Sequence, residues 1–125
     1  MSSIYLFDIA SQRNNWLAMR QETITGNIAH ANTPGYAARD VQPFEAVLQS
    51  EQLAVATTDP SHVADATRPV DAAVQADDDW QVYSSGNSVS IEKELVKAGE
   101  VNGAFALNNG VIKAFHRMLL TSTKG

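Results

Sequence analysis

The sequence predicts a mainly α-helical protein whose N- and C-terminal helices pair as an antiparallel coiled coil. Two observations indicate the helices. Apolar residues recur at spacings of three and four residues near the N-terminus, and the same pattern recurs near the C-terminus. A third observation indicates what joins them, because proline, glycine and short polar residues concentrate in the middle. We expect an N-terminal helix over 1–32, a turn and extended arm over 33–56, an acidic loop or small β segment over 57–87, and a C-terminal helix over 88–125.

The N-terminal helix carries a heptad-like apolar stripe. Its apolar members are Phe7, Ala10, Leu17, Ile24 and Ile28, and Asn14 and Gln21 interrupt them. We expect this helix to end near Ala31, because Asn32 can adopt the left-handed conformation that closes a helix. Pro34 also disfavours helical geometry at Thr33. The next residues fit a type II turn, with glycine at the position where φ is positive; they are Thr33, Pro34, Gly35 and Tyr36.

The C-terminal helix has a stripe of the same period. Its apolar members are Ile91, Leu95, Ala98, Phe105, Ile112 and Leu119, and the polar interruptions are Asn102, Asn109 and His116. Ser88 and Ser90 are both candidate N-caps. Gly99, Gly103 and Gly110 each cost about 1 kcal/mol relative to alanine in an isolated helix. They either let neighbouring backbones approach closely or only weaken the helix, and both interpretations stay open.

The length of the helices indicates that a single chain cannot bury all of its apolar residues. Helices of roughly 27 and 33 residues span about 40 and 50 Å, whereas a compact domain of this size is about 35 Å across. One helix pair has too little core to bury both stripes together with Trp16 and Phe115. We therefore expect neighbouring copies to complete the burial.

The middle of the chain predicts less regular structure. Residues 37–56 start extended, break at Pro43 and continue as a short amphipathic element that contains Phe44, Val47 and Leu48. Residues 57–87 are rich in turn formers, and the residues suited to a short strand or hairpin edge are Val70, Val74, Trp80, Val82 and Tyr83. Whether this segment is loop or β structure stays open. Its acidic triplet at 77–79 lacks the spacing of a calcium-binding loop.

Composition excludes several classes of function. The net charge of −5 argues against a nucleic-acid partner, which requires clustered Lys and Arg. Without cysteine there is neither a disulfide framework nor a thiolate metal site. No apolar run approaches the roughly 18 residues of a membrane-spanning helix. The first residues lack the basic and apolar regions of a secretory signal, so any export is expected to proceed without a cleaved signal peptide.

No catalytic pattern is present in the sequence. His30, His62 and His116 lie far apart and outside any metalloprotease motif, and there is no nucleophile elbow or phosphate-binding loop. Glu92 and Glu94 are two residues apart and therefore point to different faces of a helix. We expect no enzyme activity, no cofactor and no metal site.

The quoted motifs resemble a known family. "NIAHANTPGYAARDV", following an N-terminal helix, resembles the signature of the flagellar rod, hook and hook-associated axial proteins, although His30 stands where that family usually has asparagine. "TTDPSHV" and "GNSVSIEKE" resemble the rod subunit at the proximal end. By this resemblance the joint between helix and arm consists of Asn27, Asn32, Thr33, Pro34, Gly35 and Tyr36, and the arm contacts adjacent subunits.

The resemblance implies a structural subunit of the proximal rod of the bacterial flagellar basal body. Such a subunit leaves the cytoplasm through the flagellar type III export apparatus, polymerises through terminal helices that order on assembly, and transmits torque across the periplasm. The implied partners are copies of itself, other rod subunits, and a FliE-like adaptor and the export gate at the rod base. Two alternatives remain: another rod subunit of the family, FlgC-like, or a helical adaptor that binds a single export partner.

Overall fold

Three helices and a two-stranded β ribbon form the part of the chain that the computed structural model describes, residues 2–57, 74–76 and 86–124. In chain order these elements are α1 (Ser2–Ala29), β1 (Arg39–Val41), α2 (Phe44–Thr57), β2 (Val74–Ala76) and α3 (Ile91–Lys124). The predicted mainly α-helical fold with long terminal helices is confirmed.

The two long helices pack side by side and run in opposite directions. Near the start of α1, the ring of Phe7 lies edge-on to that of Phe115, with the centroids 5.3 Å apart. Further along α1, Arg20 approaches Glu100 at 3.7 Å. Residues later in α1 therefore meet residues earlier in α3, as an antiparallel pair requires.

The arm forms a short ribbon before α2 begins. β1 pairs with β2 in antiparallel register, with Arg39 opposite Ala76 and Val41 opposite Val74. Part of the segment predicted as loop or β structure is thus a strand. The other residues on which that expectation depended, including His62 and the acidic triplet, lie outside the described residues.

The hydrophobic core lies where α1, β1, α2 and α3 converge. Its buried members are Trp16, Leu17, Ile24, Val41, Phe44, Val47 and Val101. The amphipathic element predicted after Pro43 is α2, and its first turn buries Phe44 and Val47. The core therefore holds the arm against the middle of both long helices.

The end of α1 differs from the sequence prediction in one respect. The helix ends at Ala29 rather than near Ala31, and among the described residues only Gly35 and Gly86 have positive φ, so Asn32 is not a left-handed cap. The chain instead leaves the helix through short turns, in which Ala31 N donates to Ile28 O at 3.2 Å. The side chain of Asn87 binds carbonyl groups of these turns, at His30 and Ala31.

Candidate assembly joint and helix surface

The joint between α1 and the arm begins with a buried asparagine. Asn27 has no exposed surface. Its Nδ2 donates to the carbonyl oxygen of Arg39 at 2.7 Å, and its Oδ1 accepts from the Arg39 amide at 3.0 Å. The side-chain amide thus pairs with the first residue of β1 as a neighbouring strand does, which fixes the arm against the last turn of α1.

The predicted type II turn is present. Tyr36 N donates to Thr33 O at 3.3 Å, and Gly35 has a φ of 75°. The ring of Tyr36 stacks on that of His30, with the centroids 4.5 Å apart and the planes 16° from parallel. His30 Nδ1 also lies 3.2 Å from Thr33 Oγ1. The histidine that departs from the family pattern therefore packs against the turn.

The turn is held from the other side by Asn87, which sequence analysis missed. Its Nδ2 lies 2.9 Å from His30 O, 3.0 Å from Ala31 O and 2.7 Å from Thr33 O. Its Oδ1 accepts from Val89 N at 2.7 Å, and the residue is only 2% exposed. Asn87 thus supplies donors to the carbonyl groups of the turns that follow α1, and those of His30 and Thr33 also accept from the backbone amides of Thr33 and Tyr36.

Two residues beside Asn87 complete the contact. Ser88 N donates to Tyr36 O at 3.0 Å, and Ser88 Oγ accepts from Ala38 N at 2.8 Å. Gly86 has a φ of 77°, and a Cβ atom at this position would lie 3.4 Å from Gly35 Cα. Gly35 and Gly86 both have positive φ, a backbone conformation that glycine adopts without strain.

Ser90 begins α3. Its Oγ accepts from Lys93 N at 3.4 Å, and its carbonyl accepts from Glu94 N at 3.0 Å, so Ser90 is the N-cap and Ser88 is not. Residues 86–90 therefore bind the end of α1 and start α3. The only sequence signal for this role was the run of short polar residues in "GNSVS". That run does not indicate which distant backbone groups these residues bind.

A chain of ion pairs connects α1, β1 and α3 next to the joint. Asp40 contacts Arg20 at 3.4 Å through Oδ1 and Lys97 at 3.5 Å through Oδ2. Lys97 also contacts Glu94, whose side chain is 1% exposed, at 3.4 Å. The mixed signs offset one another, and this lets charged groups lie inside the helix interface.

A shallow cleft of ≈ 230 Å³ lies between α1 and the arm. Trp16 and Phe44 line it, with the guanidinium of Arg20 over the indole ring at 5.7 Å and that of Arg13 over the phenyl ring at 5.6 Å. Trp16 Nε1 donates to Gln42 O at 2.7 Å. These contacts fasten the arm to α1. Within the described ranges, no group of three or more metal-ligating side chains occurs.

The predicted stripe of α1 is largely covered by the chain's own core. Ala10, Leu17 and Ile24 are buried, and Phe7 and Ile28 are half-buried. The predicted stripe of α3 is not: Ala98, Phe105, Ile112 and Leu119 are half-buried, whereas Ile91 and Leu95 are 46% and 59% exposed. The face of α3 that packs inward instead buries Glu94, Lys97, Val101 and Asn108. The role of both stripes in assembly stays a prediction.

A separate face of α3 carries exposed apolar residues, which we call the outer stripe: Val96, Gly103, Leu107, Val111, Ala114 and Met118. Their spacing places them in one sector of the helix, away from the inward-facing Val101 and Asn108. The four large members are between 43% and 72% exposed. A Cβ atom on Gly103 would meet nothing within 4 Å. Within the described ranges, no other residue therefore approaches this glycine closely.

Comparison with known proteins gives this architecture a context. The chain is 42% identical over 129 aligned residues to "Flagellar basal body rod protein FlgB" of Agrobacterium fabrum, covering 99% of this chain and 96% of that protein. FlgB proteins of Bacillus subtilis and Escherichia coli are 31% and 35% identical over 84 and 89 residues, covering 66% and 64% of this chain and 64% of each relative. No protein-family model matches the chain.

Long paired terminal helices, the joint and these relatives define a structural component of the flagellar basal body rod, not an enzyme. Within that class, the chain belongs to the FlgB family. The resemblance of its motifs to the flagellar rod proteins is thereby confirmed, and the relatives favour FlgB over a FlgC-like subunit. In the described ranges, no helix has the length and hydropathy to cross a membrane.

Proposed function

We propose that this chain polymerises through its terminal helices into the proximal rod and there transmits torque across the periplasm. The observation that carries the proposal is the outer stripe of α3. Leu107 and Met118 are 72% and 66% exposed, although each stabilises by about 1.5–3 kcal/mol when fully buried. Because α1 packs on a different face, the natural cover for this stripe is a helix of a neighbouring copy.

The joint supports the mechanical part of the proposal. Torque passes from the helices to the arm only if the connection between them resists bending. Asn27 and Asn87 are buried and bind backbone groups on both sides of the turn. Buried, satisfied hydrogen bonds of this kind rigidify a connection. In our proposal the arm then contacts the adjacent subunits.

Export and partners belong to the same proposal. We propose that the chain is exported by the flagellar type III apparatus without cleavage, and that a FliE-like adaptor and the export gate are its neighbours at the rod base. The support is the resemblance of its motifs to the axial proteins, together with its FlgB relatives. An intact mass of the chain from purified basal bodies tests the export step. A mass short of an N-terminal segment would contradict it.

The decisive experiment places a charge in the outer stripe. We expect Leu107→Glu and Met118→Glu to leave the chain folded and monomeric but to prevent its incorporation into rods. Ala106→Glu is the matched control, since Ala106 is an exposed residue of α3 that belongs neither to the outer stripe nor to the predicted α3 stripe. The measurements are motility in a strain that lacks the native chain and sedimentation as a function of concentration.

Normal rods built from both stripe variants would contradict polymerisation through this face. A discrete complex of the unmodified chain with one export partner, without larger assemblies, would favour the adaptor alternative instead.

A further inference from the structure

Two arginines of α1, Arg13 and Arg20, line the cleft between α1 and the arm. They are seven residues apart, which is close to two turns of helix, so both side chains leave α1 on the same face. Each guanidinium lies over an aromatic ring, at 5.6 Å from the centroid of Phe44 for Arg13 and at 5.7 Å from that of Trp16 for Arg20. The cleft therefore has two cations in similar positions along one wall.

The two arginines differ in their partners. Arg20 contacts the carboxylates of Asp40 at 3.4 Å and Glu100 at 3.7 Å. Arg13 makes no ion pair and no hydrogen bond with any residue in the described part of the chain. Its attraction to the ring of Phe44 is an interaction of the positive charge with the ring face, and it leaves the N–H groups of the guanidinium without acceptors. Arg13 is thus held in place and has its donors available for an anion.

The surroundings of Arg13 suit the side chain of an aspartate or a glutamate. Pro43 and Phe44 form an apolar wall of the cleft beside the guanidinium, and methylene groups pack well on such a wall. A guanidinium binds a carboxylate through two parallel hydrogen bonds. Glu45 lines the same cleft, but it is exposed and no ion pair joins it to Arg13.

The charge of the chain indicates a source for the missing carboxylate. There are 14 Asp and Glu residues against 9 Lys and Arg residues, so carboxylates are in surplus. Two of them, Glu22 and Glu92, are exposed and make no ion pair with another described residue. Copies of a chain with a net charge of −5 repel one another. A contact between an unpaired arginine of one copy and a surplus carboxylate of the next offsets part of that repulsion.

We propose that this cleft is a docking site for an acidic side chain of a second copy of the chain. The carboxylate binds Arg13, and the methylene groups of the same side chain pack on Pro43 and Phe44. The inference rests on the association of copies in the proposed function. It assigns that association a second surface, on α1 and the arm, which is separate from the outer stripe of α3.

Reversing the charge of Arg13 tests the site. In a strain that lacks the native chain, we expect Arg13→Glu to lower the number of rods per cell by at least about tenfold, because a carboxylate then faces the incoming carboxylate. Circular dichroism and sedimentation of the purified variant should match the native monomer. Normal rods built from Arg13→Glu would overturn the proposal.

Two matched controls separate the docking site from simpler explanations. Glu45→Gln removes the carboxylate that shares the cleft, and Lys113→Glu reverses an exposed cation of α3 outside the outer stripe. Both are expected to leave rod number unchanged. Equal loss in Glu45→Gln would mean that Arg13 pairs within its own chain, and equal loss in Lys113→Glu would mean that net charge alone decides; either result would overturn the site.

Motile revertants of Arg13→Glu identify the occupant. We expect second-site changes that replace an Asp or Glu of this same chain by a cation, with Glu22 and Glu92 as the first positions to sequence. Revertants changed only at residue 13 or in another protein of the basal body would overturn a second copy as the occupant. The outer-stripe variants report on the proposed function separately, because Leu107→Glu and Met118→Glu leave Arg13 and the cleft unchanged.

Discussion

The side-chain amide of Asn27 and the backbone of Arg39 exchange two hydrogen bonds, of 2.7 and 3.0 Å, so that one residue of a helix serves as the strand partner of the arm. The same amide is inaccessible to solvent. The angle between α1 and the arm is therefore fixed by a buried contact rather than by the turn alone.

Asn27→Ala removes both hydrogen bonds and leaves the amide and carbonyl groups of Arg39 without their partner. We expect the free energy of unfolding to fall by about 2–3 kcal/mol, the cost of buried polar groups left unsatisfied. Urea denaturation followed by circular dichroism measures it. Asn32→Ala is the control. Asn32 is exposed and lies between α1 and the Pro-Gly turn, so the loss of its side chain is expected to cost at most about 0.5 kcal/mol. Equal losses of unfolding free energy in the two variants would show that the hydrogen bonds of Asn27 stabilise the fold no more than an exposed side chain does.

Asn87→Asp keeps the shape of the side chain but replaces a donor by a carboxylate facing three carbonyl oxygens. We expect this variant to be less stable than Asn87→Ala, because it adds repulsion and the desolvation of a charge to the lost bonds. The midpoint of urea unfolding ranks the two variants. Asn102→Asp, at an exposed position of α3, should change stability by no more than about 0.5 kcal/mol. If Asn87→Asp were the more stable of the two joint variants, the donor role of Asn87 would be wrong.

Gly86→Ala and Gly99→Ala are expected to act in opposite directions. Gly86 has a φ of 77°, a conformation that costs an L-residue about 1–2 kcal/mol. Gly99 lies in α3, and a Cβ atom there would meet nothing within 4 Å, so alanine should stabilise the helix by about 1 kcal/mol. Thermal unfolding of the two variants measures the sign of each change, and matching signs would contradict the assigned backbone conformations.

Lys97→Met breaks the ion-pair chain and leaves the carboxylate of Glu94 buried beside an apolar group. We expect a loss of about 3 kcal/mol, since an uncompensated buried charge is more costly than the intact pair. Adding Glu94→Leu should recover much of that loss, because the second substitution removes the charge left behind. Lys113→Met, on an exposed part of α3, is the control. Denaturant unfolding of the native chain, the two single variants Lys97→Met and Glu94→Leu, and the double variant completes the cycle, and purely additive effects would argue against coupling.

The sequence accounted for those features that depend on local chemistry. Proline and glycine at 34 and 35 determine the turn, because only certain backbone angles suit them, and the turn is present with Gly35 at positive φ. Apolar spacing determined that both ends are helical and, in α1, which residues are buried. The motif around this turn also identified the family, since it is continuous in the chain.

Only the tertiary structure decided which surfaces meet. Apolar residues occur on several faces of α3, so periodicity alone did not determine that Glu94, Lys97, Val101 and Asn108 face inward while Ile91 and Leu95 do not. The buried Lys97 has the carboxylate of Asp40 at 3.5 Å, a partner that lies far away in the sequence. The hydrogen bonds of Asn87 were equally hidden from the sequence, because its partners, the carbonyl groups of His30, Ala31 and Thr33, lie more than fifty residues away in the chain. Local propensity specifies the elements, whereas the partners of buried polar groups depend on how distant segments come together.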